Sequence, residues 1–220
     1  MLSNFTRLLI WIPVIHTQAD LGSVSESVRL LYTRRIGRQK RKEHIRAVDQ
    51  MWRSIRGEIK RLDLDIGKVR LYQDGLPDCG HEEEIVRGLA QAGSQNHQIL
   101  LGLVEKGAKL TGTESSELLM EEYRLARQVL TLLDRGETDK LTKFQDETSR
   151  IILQKRDRCI AERIDRTLQV GETGLIFLGM LHSLEGLLPP DIHVTYLGRL
   201  PRLARRDGPV GEGKQRRSGR

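Results

Sequence analysis

The run Gly174 to Tyr196, GLIFLGMLHSLEGLLPPDIHVTY, constrains the fold more than any other stretch of the chain. Leu175 to Leu178 is continuously apolar between Gly174 and Gly179, the pattern of a strand buried on both faces, as parallel strands are. Parallel strands require crossover connections, so the chain has to be assembled from βαβ units. Gly179 permits a tight turn, Ser183 to Leu188 is expected as a short helix stopped by Pro189 and Pro190, and Ile192 to Leu197 as the next strand. His182 then falls just past the carboxyl end of a strand, where open α/β sheets bind ligands. A histidine that merely caps or packs in the turn fits the same spacing.

A chain of 220 residues has room for one full-sized domain with appendages. Aromatic residues make up only 4% of it, so the core has to be built from Leu, Ile and Val, which suits α/β packing. The net charge is +7, and nearly all of it lies in the last 22 residues, where eight Lys or Arg face only Asp207 and Glu212. The basic pI therefore reports a tail and not a nucleic-acid-binding fold. With no apolar periodicity, residues 199–220 are expected to be disordered. Cys79 and Cys159 are the only cysteines, which excludes a disulfide framework and favours a reducing compartment. Leu8 to Ile15 is apolar but too short to span a membrane, and reads as a strand of a cytoplasmic protein, a secretory apolar segment being the alternative.

The expectation is thus an α/β fold with a mainly parallel central sheet of about four or five strands flanked by helices. Residues 1–198 form a single domain with helical insertions. The first strand ends at His16, before a helix from about Ser23, so an apolar run followed by histidine occurs near both ends of the domain. Arg34 to Lys42, with six basic residues, reads as a solvated connection. Ile45, Val48, Trp52, Ile55, Ile59 and Leu62 then recur at spacings of three and four, placing them on the sheet-covering face of a helix. Lys68 to Tyr72 is the next strand, Asp74 follows it directly, and Asp78 is expected to cap a helix starting at Cys79. A thiol in that first turn would have a lowered pKa, but one Cys and one His81 lack the paired ligands of a zinc site, and three glutamates oppose the thiolate. Helices are expected over Glu82 to Ala92 and Ser94 to Lys106, broken at Gly93. A short strand then ends at Thr111, with Glu114 beyond it, and Thr113 or Ser115 caps a helix through Leu133. On the long helix expected from Thr138 to Leu168, Leu141, Phe144, Ile151, Ile152, Leu153, Cys159, Ile160 and Ile164 make one apolar arc with Arg156 near its middle. A buried guanidinium must find an acidic partner, Asp74 or Glu114, whereas Asp157 and Arg158 sit off the arc and read as a solvated face.

Four motifs, in order, carry a family resemblance: PVIH at Pro13 to His16, RLYQDG at Arg70 to Gly75, KRDRCIAERI at Lys155 to Ile164, and GMLH at Gly179 to His182. As a set they resemble the TraB/Tiki/ChaN superfamily, in which a strand-end GxxH lies near each terminus, an acidic residue follows the second strand, and an Arg-Asp-containing helix precedes the last GxxH strand. Pro13 stands where that family usually has Gly, and Asp74 where it more often has Glu. The resemblance implies a parallel-centred α/β fold with a polar cluster of two histidines, carboxylates and an arginine. It also implies one of several activities, among them metal-dependent peptidase, esterase and haem binding.

His16, Asp74, Glu114 and His182 all fall at expected carboxyl ends of strands, which a parallel sheet brings to one edge. With Arg156 they form the expected catalytic set, and His16, Asp74 and His182 the expected ligands of a divalent metal ion, which would lower the pKa of a bound water. Without metal, His182 could act as general base with a carboxylate orienting its ring. The reading is a hydrolase acting on a small-molecule or peptide substrate. Its rival is an inactive ligand- or haem-binding protein on the same scaffold. No specific nucleic-acid partner and no membrane span are expected, and a homo-oligomer stays open.

Overall fold

The computed structural model describes residues 7–14, 38–134 and 142–198. Five strands form one all-parallel sheet: β1 (Arg7–Val14), β2 (Val69–Gln73), β3 (Lys109–Thr111), β4 (Thr173–Gly179) and β5 (Ile192–Tyr196). Their order is β3-β2-β4-β1-β5. Among the described residues five helices connect and flank them: α1 (Arg38–Arg61), α2 (Glu82–Gln91), α3 (Gln95–Val104), α4 (Ser116–Asp134) and α5 (Thr142–Thr167). The α/β class expected from the apolar run in β4 is what the chain forms, and β4 is buried from Gly174 to Gly179 as its centre.

Strand residues alternate between two cores. Ile10, Ile12, Leu71, Leu175 and Phe177 pack with Val48, Trp52 and Ile55 of α1 and with Ile99, Leu100 and Leu103 of α3. Leu9, Trp11, Tyr72, Ile176 and Leu178 face the other way, onto Ile160, Ala161 and Ile164 of α5. The chain travels one way along the sheet from β1 to β3 and back again through β4 to β5. The helices change faces with that reversal, as crossovers of a single hand require. α4 packs against α5.

Pro13 is tolerated in an interior strand because it lies past the β1–β5 ladder, which ends at the Trp11–Tyr196 pair, so its missing N–H interrupts no bond of that ladder. The carbonyl of Trp11 accepts from Leu197 N on the β5 side. Position 13 points the same way, beyond Tyr196, the last residue of β5.

Several local expectations change. Ser183 to Leu188 is a series of turns and not a helix. Gly186, at φ +72, breaks any helical run there, and two prolines follow at once. The basic stretch at Arg38 to Lys42 is the first turn of α1 and not a connection, since nothing between Arg38 and Arg61 stops a helix. Ile45 and Ile151, placed on buried faces by spacing, are 47% and 43% exposed: Ile45 lies at the margin of the face that carries Val48, Trp52 and Ile55, and Ile151 is turned away from the face that carries Ile152, Ile160 and Ile164. α2 begins at Glu82, so Cys79 is not in its first turn. Glu82 turns back to accept from Cys79 N at 2.8 Å and Gly80 N at 2.9 Å, and Asp78 pairs instead with Arg163. Ser115, as expected, caps α4, accepting from Leu118 N at 3.3 Å. Ile15, His16, the helix expected from Ser23, Arg34 to Gly37, Leu141 and the tail 199–220 lie outside the described residues, as does the side chain of Phe144. Among the described residues no helix is long and apolar enough to cross a membrane.

Candidate functional site

The turns after β2 and β3 are laced together at the carboxyl edge of the sheet. Leu76 O accepts from Thr113 N at 2.9 Å and Glu114 N at 3.1 Å, Asp78 N donates to Glu114 O at 2.9 Å, and Thr113 Oγ1 accepts from Gln73 N at 3.0 Å. Two glycines permit this. Gly75 takes φ +75 in the turn. A Cβ on Gly112 would lie 2.5 Å from Asp78 Cα and 2.6 Å from Pro77 O, so only hydrogen fits where the two loops cross. The outcome is that Asp74 and Glu114, each a residue or more past its strand, stand side by side with both carboxylates buried.

Arg156 of α5 reaches over this edge. Its Nε and Nη2 hold Glu114 in a two-point contact of 2.5 and 2.8 Å, Nη2 also donates to Asp74 Oδ1 at 2.7 Å, and Nη1 donates to both oxygens of Glu122 at 2.9 Å. The guanidinium is nearly inaccessible. Burial works against its charge, but the hydrogen bond and proximity of Glu114, then of Asp74 and Glu122, outweigh burial and raise its pKa. A planar fork with five donors meets three carboxylates here in a way that lysine could not.

Asp74 continues the cluster toward β4. Its Oδ2 accepts from Gly179 N at 2.9 Å and lies 3.5 Å from His182 Nε2. Gly179 closes β4 in strand conformation, not in a left-handed turn, and the reversal is made by His182 N donating to Gly179 O at 3.2 Å. Met180 and Leu181 ride exposed at its tip, while the imidazole folds inward. There Asp157 of α5 accepts from Nδ1 through Oδ1 at 2.6 Å and from Ser183 N through Oδ2 at 3.2 Å. A carboxylate only accepts, so Nδ1 carries a proton and Nε2 is turned toward Asp74. Burial lowers the imidazole's basicity, yet the hydrogen bonds and charges of Asp74 and Asp157 prevail, and the His182 pKa is raised.

On its other side His182 forms part of the wall of a groove of about 680 Å³. The groove runs over β1 and β5 on the α5 face of the sheet, beneath the β4–β5 connection, between Trp11, Leu184, Leu188, Ile192, Val194 and Tyr196. The Trp11 and Tyr196 rings stand 5.9 Å apart, tilted by 32°.

Of the residues singled out in the sequence, Asp74, Glu114, Arg156 and His182 lie in one hydrogen-bonded cluster, and His16 is outside the described residues. The expected solvated face is corrected at Asp157, which is buried and holds the His182 ring, whereas Arg158 is exposed. A signal for Asp157 was present: it lies four residues before Ala161, which continues through Ile164 and Leu168 along the sheet-facing side. Glu122 had no such signal, since a glutamate on a charged helix face looks solvated whichever way it points. Among the described residues no group of three His, Cys, Asp or Glu side chains is arranged to hold a metal ion. No protein-family model, no curated protein and no solved structure matches this chain.

Proposed function

We propose that this edge of the sheet is a hydrolytic site, peptidase- or esterase-like, in which His182 does the proton chemistry and Asp157 orients it. The observation that carries the reading is the pairing of His182 Nδ1 with Asp157 at 2.6 Å on the wall of a groove large enough for a small-molecule or peptide group. Arg156 anchors Asp74 and Glu114, so that neither carboxylate swings into the groove, and places positive charge beside the reacting edge. Membership of the TraB/Tiki/ChaN superfamily belongs to the same reading. It is supported by Asp74, Arg156 and His182 lying in one cluster although the motifs that contain them are far apart in sequence. A cytoplasmic setting rests on the two unpaired cysteines.

The donor set fits a divalent ion in part. His182 Nε2 and Asp74 Oδ2, 3.5 Å apart, have the separation of two ligands each about 2 Å from a shared ion, and Asp157 is the outer carboxylate that a metal-bound histidine ordinarily has. His16 would be the third ligand. Such an ion would supply an activated water near neutral pH.

The rival reading, a ligand-binding protein without chemistry, is favoured by one feature: Arg156 already engages Asp74, Glu114 and Glu122. One experiment separates them. Wild type, His182→Gln and Asp157→Asn are loaded with Zn²⁺ or Mn²⁺, analysed for bound metal, and assayed on p-nitrophenyl esters and a fluorogenic peptide mixture. Hydrolysis in wild type that is lost in His182→Gln and falls about 10- to 100-fold in Asp157→Asn supports the proposal. No turnover by wild type with either ion returns the site to binding alone.

A further inference from the structure

The groove beside His182 has a charge asymmetry that specifies what can enter it. Its lining is largely apolar, with Trp11, Tyr196, Leu188, Ile192, Val194 and the prolines of the β4–β5 connection. Among the described residues the only acidic or basic side chains lining it are Glu185 and His182. Behind His182 stand Asp74 at 3.5 Å and Asp157 at 2.6 Å, and behind Asp74 stand Glu114 and Glu122, against the single guanidinium of Arg156. Four carboxylates thus outweigh Arg156 and a charged His182 together. An anionic ligand would meet Glu185 at the wall and a net negative cluster behind His182, with no arginine or lysine among the described lining residues to receive it. An apolar or aromatic group would gain the Trp11 and Tyr196 faces and lose nothing.

We infer that the groove is the recognition site for an uncharged apolar or aromatic group of the substrate, and that it rejects phosphorylated and carboxylated ligands. As a statement about substrates this rests on the hydrolytic reading above. As a statement about binding it stands on the groove itself. The scissile ester or amide bond then sits next to an apolar acyl or aryl group.

The test uses two fluorescent probes with one ring framework, neutral N-phenyl-1-naphthylamine and its sulfonate, 8-anilinonaphthalene-1-sulfonate. They are titrated into the full chain and into Glu185→Lys and Tyr196→Ala, each checked for native circular dichroism. Wild type should bind the neutral probe about tenfold more tightly than the sulfonate. Glu185→Lys should tighten the sulfonate about fivefold and leave the neutral probe unchanged. Tyr196→Ala should weaken the neutral probe about three- to tenfold. In parallel, p-nitrophenyl butyrate is compared with mono-p-nitrophenyl succinate. If neither ester is turned over but the probe preference holds, the hydrolytic reading fails and the groove's selectivity stands. Tighter binding of the sulfonate by wild type, or a neutral-probe affinity that neither variant moves, overturns the inference even if both esters are hydrolysed.

Discussion

At the scale of single residues, Arg156 is the member whose loss has the clearest cost. Its guanidinium is buried and satisfies two buried carboxylates, Asp74 and Glu114, as well as the half-exposed Glu122. Arg156→Met fills similar volume but leaves two carboxylates buried without a counter-charge. That variant should lose about 3–5 kcal/mol of stability by denaturant titration. Arg156→Lys should recover part of this, because one ammonium supplies charge but not the two-point contact to Glu114. Equal stability of wild type and Arg156→Met would mean that the carboxylates are solvated or protonated once the arginine is gone. Burial of Arg156 followed from its place among Ile152, Ile160 and Ile164 on one helix face, and the need for an acidic partner followed from burial. Which acid it would meet did not follow, and it meets both candidates and a third.

Between elements, two contacts hold β2, β3 and β4 in register at opposite ends. At the carboxyl end is the close crossing at Gly112. Gly112→Ala places a methyl against the backbone of Pro77 and Asp78, which cannot rotate away, and should cost about 1–3 kcal/mol. Gly174→Ala presses mainly on the Leu9 side chain, at 2.7 Å, which can shift. The prediction is that Gly112→Ala is the more destabilising of the two and the one that disturbs Glu114. A larger loss in Gly174→Ala would contradict it.

At the amino end, Glu172 accepts from Arg70 at 2.8 and 3.0 Å, from Lys109 at 3.3 Å and from Gln169 N at 3.0 Å. Burial raises the carboxyl pKa, but the Arg70 and Gln169 bonds outweigh it and hold Glu172 at about 2. A group whose folded value is depressed contributes stability that is present above its unfolded value, about 4.5, and is lost as pH falls toward 2. Wild type should therefore lose about 2 kcal/mol more than Glu172→Gln between pH 5 and pH 2, read from urea midpoints across that window. Parallel curves for the two proteins would show that Glu172 does not report folding.

Across the whole molecule, one sheet serves as the common wall of both cores. Ile176 and Phe177 are neighbours in β4, fully buried on opposite faces. Ile176→Ala and Phe177→Ala should each cost about 3–4 kcal/mol, and each should shift one shared unfolding transition seen alike by far-UV circular dichroism and tryptophan fluorescence. Separate transitions in either variant would mean that the two faces fold independently.

By itself the sequence determined what depends on short-range periodicity. The apolar run of β4 required a doubly covered parallel strand, the spacing from Val48 to Leu62 required a sheet-covering helix, and each polar candidate could be placed at a strand end or on a helix face. Local pattern misread the margin at Ile45, the turns from Ser183 to Leu188 and the start of α2, and on α5 it misjudged which way Ile151 and Asp157 face. The tertiary structure alone decided who meets whom. Because β4 is inserted between β2 and β1, the residues after β2 and β4 become neighbours across a ladder, and Asp74 comes to His182 over a separation of more than 100 residues. The period of a strand encodes which of its faces is buried, and the hand of a crossover encodes which face its helix covers. Neither encodes strand order. That order is set by the summed packing of all the helices, and with it the pairing of Asp157 with His182 and of Glu122 with Arg156.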